Sequence, residues 1–117
     1  MTDNKSGEIL IIEDDKDIND LLATALSKVG YRTRQAWSGT EGELLLKLDR
    51  EAYALVLLDL MLPGLSGEEL LARIRQMDAS IPVIILTAKD ELDEKINLLV
   101  AGADDYITKP FEIKEVV

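Results

Sequence analysis

A chain of 117 residues, 47% of them hydrophobic, has material for one compact domain with a real core and little more. It contains no cysteine and no histidine, which excludes disulfides, thiol nucleophiles, histidine general bases and the usual zinc ligands. The formal charge of −10 argues against contact with nucleic-acid phosphates, which need a basic face.

The opening "MTDNKSGE" is polar and carries no apolar signal region, and no later run has the length of a membrane span. A cytoplasmic protein with a flexible tail over residues 1–7 is the expectation. "EILII" (8–12) is the first of three short, very apolar runs; "ALVLL" (54–58) and "PVIILT" (82–87) are the others. Continuous Ile/Val/Leu runs of this length predict parallel strands covered on both faces. "YRTRQA" (31–36) alternates and predicts a weaker strand. "DDYIT" (104–108) predicts a fifth.

Helical patterns fill the gaps. Ile18, Leu21, Leu22, Ala25, Leu26 and Val29 recur at helical spacing, with Gly30 as a stop. Asp15 and Asp17 read as acids favoured at a helix start, and Asp15 is not taken as a ligand. Trp37 reads as a half-exposed aromatic in the loop after the second strand. "SGTE" (38–41) has the form of a capping box opening a helix to about residue 50, and "SGEE" (66–69) of another, containing Leu70, Leu71, Ile74 and Met77. Leu92, Ile96, Leu99 and Val100 mark a fourth helix, closed by Gly102. A fifth begins at Phe111 and is cut off at Val117. This strand–helix alternation predicts an α/β fold with a doubly wound parallel sheet.

In such sheets ligands bind outside the carboxyl ends of the strands. Those ends carry Glu13, Asp14 and Asp15 after the first strand, Asp59 at the third, Thr87 at the fourth, and Thr108, Lys109 and Pro110 after the fifth. Crowded carboxylates repel and call for a cation. Oxygen donors suit Mg²⁺, with Mn²⁺ as an alternative.

The acidic pair, "DLMLPGLSG" (59–67), "TA" (87–88) and "DDYITKPF" (104–111), in this order on a five-unit βα pattern, resemble the receiver domain of bacterial two-component response regulators. The similarity runs from Glu8 to the end of the chain. It implies a flavodoxin-like (βα)5 domain over 8–117 with strand order 2-1-3-4-5, a truncated last helix and an effector domain that is absent. Asp59 is then the phosphoacceptor for a sensor histidine kinase. Asp14 and Asp59 ligate Mg²⁺ through side chains, Met61 through its carbonyl and Glu13 through a water. Lys109 and Thr87 contact the phosphoryl oxygens. Thr87 and Tyr106 form the switch, although Tyr106 also reads as a static aromatic at the edge of the core.

The C-terminal part is most similar to receivers of winged-helix transcription regulators. That implies dimerisation on phosphorylation through a face including Lys95, Asp104, Asp105 and Glu115, and DNA contact only through a separate domain. Other readings fit less well. A haloacid-dehalogenase-type phosphatase needs a second acid two residues after the nucleophile, where Met61 stands. A flavin binder needs a Ser/Thr/Gly-rich phosphate loop where this chain has "EDDKD". A pure interaction module is distinguished only by the absence of metal-dependent modification.

Overall fold

The structure, a computed structural model, describes residues 7–59, 67–77, 80–88 and 105–109; at residues 68, 87, 88 and 105–109 the description is of the backbone. The elements are β1 (Glu8–Ile12), α1 (Lys16–Lys28), β2 (Thr33–Ala36), α2 (Gly39–Leu48), a 3-10 turn (Arg50–Ala52), β3 (Tyr53–Asp59), α3 (Gly67–Met77), β4 (Val83–Ala88) and β5 (Asp105–Lys109). All strand pairings are parallel, in the order β2-β1-β3-β4-β5. This is the flavodoxin-like sheet expected. The predicted fourth and fifth helices lie outside the described residues, as do residues 1–6 of the expected tail. Gly7, also assigned to that tail, packs so closely on Ala54 that an added Cβ would come 2.5 Å from the Ala54 Cβ.

Period-2 alternation divides the core between the two faces of the sheet. Leu10, Ile12, Val56, Leu58, Val83 and Ile85 face Leu46 of α2 and Leu70, Leu71 and Ile74 of α3. Ile9, Ile11, Leu57 and Leu86 face Leu22 and Leu26 of α1. Burying each such side chain is worth about 1.5–3 kcal/mol. Coverage on both faces explains why β1 and β3 read as unbroken apolar runs. Ala54 is the exception: the register between β1 and β3 shifts at Glu8/Ile9, and Ala54 is exposed beside that irregularity.

The helix ends show how sequence sets the boundaries. The Asp15 carboxylate accepts from the amides of Asp17 (3.0 Å) and Ile18 (3.2 Å), capping α1. At the other end the Tyr31 amide reaches Leu26 O and the Gly30 amide reaches Ser27 O, both at 3.1 Å. This is a Schellman motif, and Gly30 supplies the positive φ of 100° it requires. The box at α2 differs from the expected form. Ser38 Oγ accepts from the Glu41 amide at 3.1 Å, but Glu41 Oε1 accepts from Trp37 N at 2.7 Å rather than from Ser38 N. Glu41 therefore reaches one residue further back and ties the end of β2 to α2. The helix stops at Leu48, before residue 50, because the chain tightens into the 3-10 turn that delivers Tyr53 to β3. Ser66 lies outside the described residues.

Candidate functional site

Register brings the acids together. Ile12 of β1 pairs with Leu58 of β3, so Glu13 and Asp59 are each the next residue on adjacent strands. Adjacent strands lie about 4.8 Å apart. Alternation turns both side chains to the face that carries Ile11 and Leu57, the face covered by α1. The strand order reverses between β1 and β3, so these acids flank the crevice at the topological switch point.

Glu13, Asp14 and Asp59 each place a carboxylate oxygen within 4.8 Å of the others. Glu13 and Asp59 are 1% and 2% exposed, whereas Asp14 faces solvent. Glu13 is held: its Oε2 accepts from the Asp15 amide at 3.1 Å, and its own amide donates to Ala36 O at 3.1 Å. Asp15 stays out of the cluster, its carboxylate engaged in capping α1. Three oxygen donors, two of them withdrawn from water, form a donor set that fits a hard divalent cation.

The rest of the expected site is placed through the backbone. Asp59 pairs with Leu86 of β4, so Thr87 is one residue further along the same edge. Thr87 pairs with Thr108 of β5, and Ala88 with Lys109. Tyr106 pairs with Ile85, two residues before Thr87. Asp105 begins β5. Met61, Lys95, Asp104 and Glu115 lie outside the described residues. Trp37 follows β2 and is 38% exposed, a half-exposed loop aromatic as expected.

Two polar residues of this region were not singled out from the sequence. Asn19 of α1 is fully buried, and its amide nitrogen donates to Glu13 O (2.9 Å) and Ala36 O (3.1 Å). Gln35 of β2 donates to Asn19 Oδ1 (2.9 Å) and Asp20 Oδ1 (2.8 Å). The available signal was positional: Asn19 is in register with Leu22 and Leu26 on a helix whose other inward positions are apolar. At the exposed end of this network, Lys16 Nζ and Asp20 Oδ2 are 2.7 Å apart. The bond to Asp20 raises the Lys16 pKa, and the bond from Lys16, with that from Gln35, lowers the Asp20 pKa.

A parallel α/β sheet in this strand order, with a carboxylate cluster at its switch point, defines the flavodoxin-like class with an acidic group of the kind that suits a cation. The family model of the response regulator receiver domain matches residues 9–117, and the chain belongs to that family. It is thus the receiver, a regulatory signalling domain, of a two-component response regulator. Receiver domains bind Mg²⁺ at an acidic pocket, and Glu13, Asp14 and Asp59 form such a group here.

The chain is 48% identical over 116 residues to the uncharacterized transcriptional regulatory protein YkoG of Bacillus subtilis, covering 97% of this chain and 49% of YkoG. To the phosphate regulon transcriptional regulatory protein PhoB of Pseudomonas aeruginosa it is 45% identical over 111 residues, covering 93% and 48%. The chain thus spans about half the length of the curated relatives it matches. A solved response regulator receiver domain from Clostridium thermocellum superposes with a TM-score of 0.89 at 30% identity, covering 94% of this chain and 87% of that one. Among the described residues, no helix is long and apolar enough to cross a membrane.

Proposed function

We propose that Asp59 accepts a phosphoryl group from a phosphohistidine of a partner sensor kinase. The observation that carries this reading is the buried Asp59 carboxylate at the switch point, within 4.8 Å of Glu13 and Asp14. A carboxylate oxygen of Asp59 attacks phosphorus. The phosphorus–nitrogen bond breaks, its electron pair leaves with the imidazole, and an acyl phosphate remains on Asp59. Phosphoryl transfer asks mostly for positioning and charge stabilisation, and strand ends that share one edge can supply both. Asp14 and Asp59 would hold Mg²⁺ or Mn²⁺ with their side chains, Met61 with its carbonyl and Glu13 through water. The ion would neutralise charge on the phosphoryl oxygens.

Lys109 pairs with those oxygens from β5, and Thr87 donates its hydroxyl to them from β4. Drawing Thr87 toward the phosphoryl group couples to Tyr106, and the change reaches the face containing Lys95, Asp104, Asp105 and Glu115. The output is phosphorylation-dependent homodimerisation of a longer, cytoplasmic regulator whose winged-helix domain contacts DNA. The transcriptional relatives, each about twice the length of this chain, support that assignment. The domain catalyses only its own phosphorylation and dephosphorylation.

Intact-mass spectrometry after incubation with Mg²⁺ and acetyl phosphate tests the nucleophile. One phosphoryl adduct is expected, absent without Mg²⁺ and absent in Asp59→Ala. An adduct that survives in Asp59→Ala would overturn the assignment. If wild type shows none, beryllofluoride, a stable phosphoryl mimic, separates a short-lived adduct from a module that is never phosphorylated.

A further inference from the structure

We propose that Asn19 is a positioning residue for the cation site, acting through the peptide that joins Glu13 to Asp14. This rests on the metal-binding reading above. The Glu13 carbonyl and the Asp14 amide belong to one rigid peptide plane. Asn19 Nδ2 holds that plane at 2.9 Å and bridges it to Ala36 O, at the end of β2, at 3.1 Å. The backbone amide of Asn19 donates in turn to Asp15 O at 2.9 Å. The peptide between the two acids of the β1 end is therefore anchored from the first turn of α1.

The amide has one workable orientation. Turned over, its oxygen would face two carbonyl oxygens, and its nitrogen would face the Gln35 Nε2 donor. Gln35 thus fixes which end of Asn19 meets the Glu13 carbonyl. A cation site tolerates little misplacement of its ligands, and outer-shell partners that orient them are worth about 10- to 100-fold in affinity. Asn19 is one bond further out, through the backbone, so a loss near the lower end, roughly tenfold, is expected.

The test is calorimetric titration of Mg²⁺ into the metal-free 117-residue chain, at a temperature where each variant is folded by circular dichroism. Asn19→Ala should raise the Mg²⁺ Kd roughly tenfold, and Gln35→Ala by a smaller factor. Leu26→Ala, which opens a cavity two turns away on the same helix, should leave Kd within about twofold of wild type. Wild-type Kd in a folded Asn19→Ala protein would overturn the proposal. So would an equal weakening by Leu26→Ala, since the effect would then be general loosening. If Asn19→Ala does not fold, Gln35→Ala carries the test, and an unchanged Kd there overturns the proposal. Wild type failing to bind Mg²⁺ removes the metal-site reading and this inference together, whereas normal wild-type binding with unaffected variants removes this inference alone.

Discussion

Replacing Asp14 by Asn should stabilise the metal-free protein while abolishing its response to Mg²⁺. Asp14 has two carboxylate neighbours, with oxygens of all three within 4.8 Å of one another. At that distance two unit charges repel by about 0.9 kcal/mol in bulk water and about 3.5 kcal/mol at an effective dielectric near 20. Asp14 is exposed, so the lower value governs, and two pairs amount to about 2 kcal/mol. Repulsion surviving in the unfolded chain reduces the gain to about 1–2 kcal/mol, a rise in Tm of roughly 4–10 °C for a domain of this size.

Wild type at Mg²⁺ about ten times Kd should gain about 1.4 kcal/mol from binding, and Asp14→Asn close to nothing. Thermal melts in chelator and in Mg²⁺ read both arms. Raising salt to about 1 M should shrink the metal-free gap, because exposed charges are screened. A metal-free Tm for Asp14→Asn at or below that of wild type would refute the crowded-charge account. A Mg²⁺ shift retained in full would remove Asp14 from the ligand set.

Three further expectations concern the frame around the site. Gly42→Ala should cost about 1–3 kcal/mol in urea unfolding despite alanine's better helix propensity. The new Cβ would run into Ile12 Cδ1 and come 2.8 Å from Cγ1, and Ile12 is fully buried. Asp15→Ala should cost about 1 kcal/mol through lost capping of α1, while calorimetry shows the Mg²⁺ Kd unchanged. Asp20→Asn addresses pH. The Asp20 pKa is depressed below 3.8 in the fold, so its contribution is present above that value and is lost as pH falls through the folded value. The Lys16 pKa is raised above 10.5, so its contribution is present below that value and is lost as pH rises beyond it. The Tm gap between wild type and Asp20→Asn should therefore be small at neutral pH, where the pair is exposed and hydrated, and close in strong acid.

The parts of this fold legible in the sequence are those set by local rules. β1, β3 and β4 stood out because a strand covered on both faces must be apolar at every position. The ends of α1 were marked by Asp15 and Gly30, whose roles need only their own backbone. Strand order was different: it came from the resemblance, since βα alternation alone permits several orders. Apolar spacing alone places the inward face of α1 off by part of a turn. Leu21 and Val29 share the apolar spacing, yet they are 50% and 52% exposed. Asn19, Leu22 and Leu26 take the inward line instead. Periodicity counts apolar residues, and it cannot register a polar residue buried because two carbonyls from different strands need its donors. For the same reason Glu13 and Asp59 could be assigned to one edge but not to neighbouring positions, which only the Ile12–Leu58 register supplies.

Placing acids one residue beyond the last apolar pair puts their charge at the edge of the sheet, where Glu13 and Asp59 are still withdrawn from water. Ile12 and Leu58 are fully buried, and the charges begin with the next residue on each strand. Two separable properties then define the site: how much negative charge is crowded there, and how firmly it is aimed. Asp14→Asn removes charge and leaves the frame, so the metal-free protein should become more stable while Mg²⁺ binding is lost. Asn19→Ala leaves every charge and removes the frame, so the metal-free protein should become less stable while Mg²⁺ binding weakens. Opposite signs in the metal-free melt, with the same sign in cation affinity, would show that charge and placement contribute independently. If both variants instead moved stability in the same direction, the repulsion would have to be compensated within the pocket even without a cation, and the case for a site held under charge strain would fail.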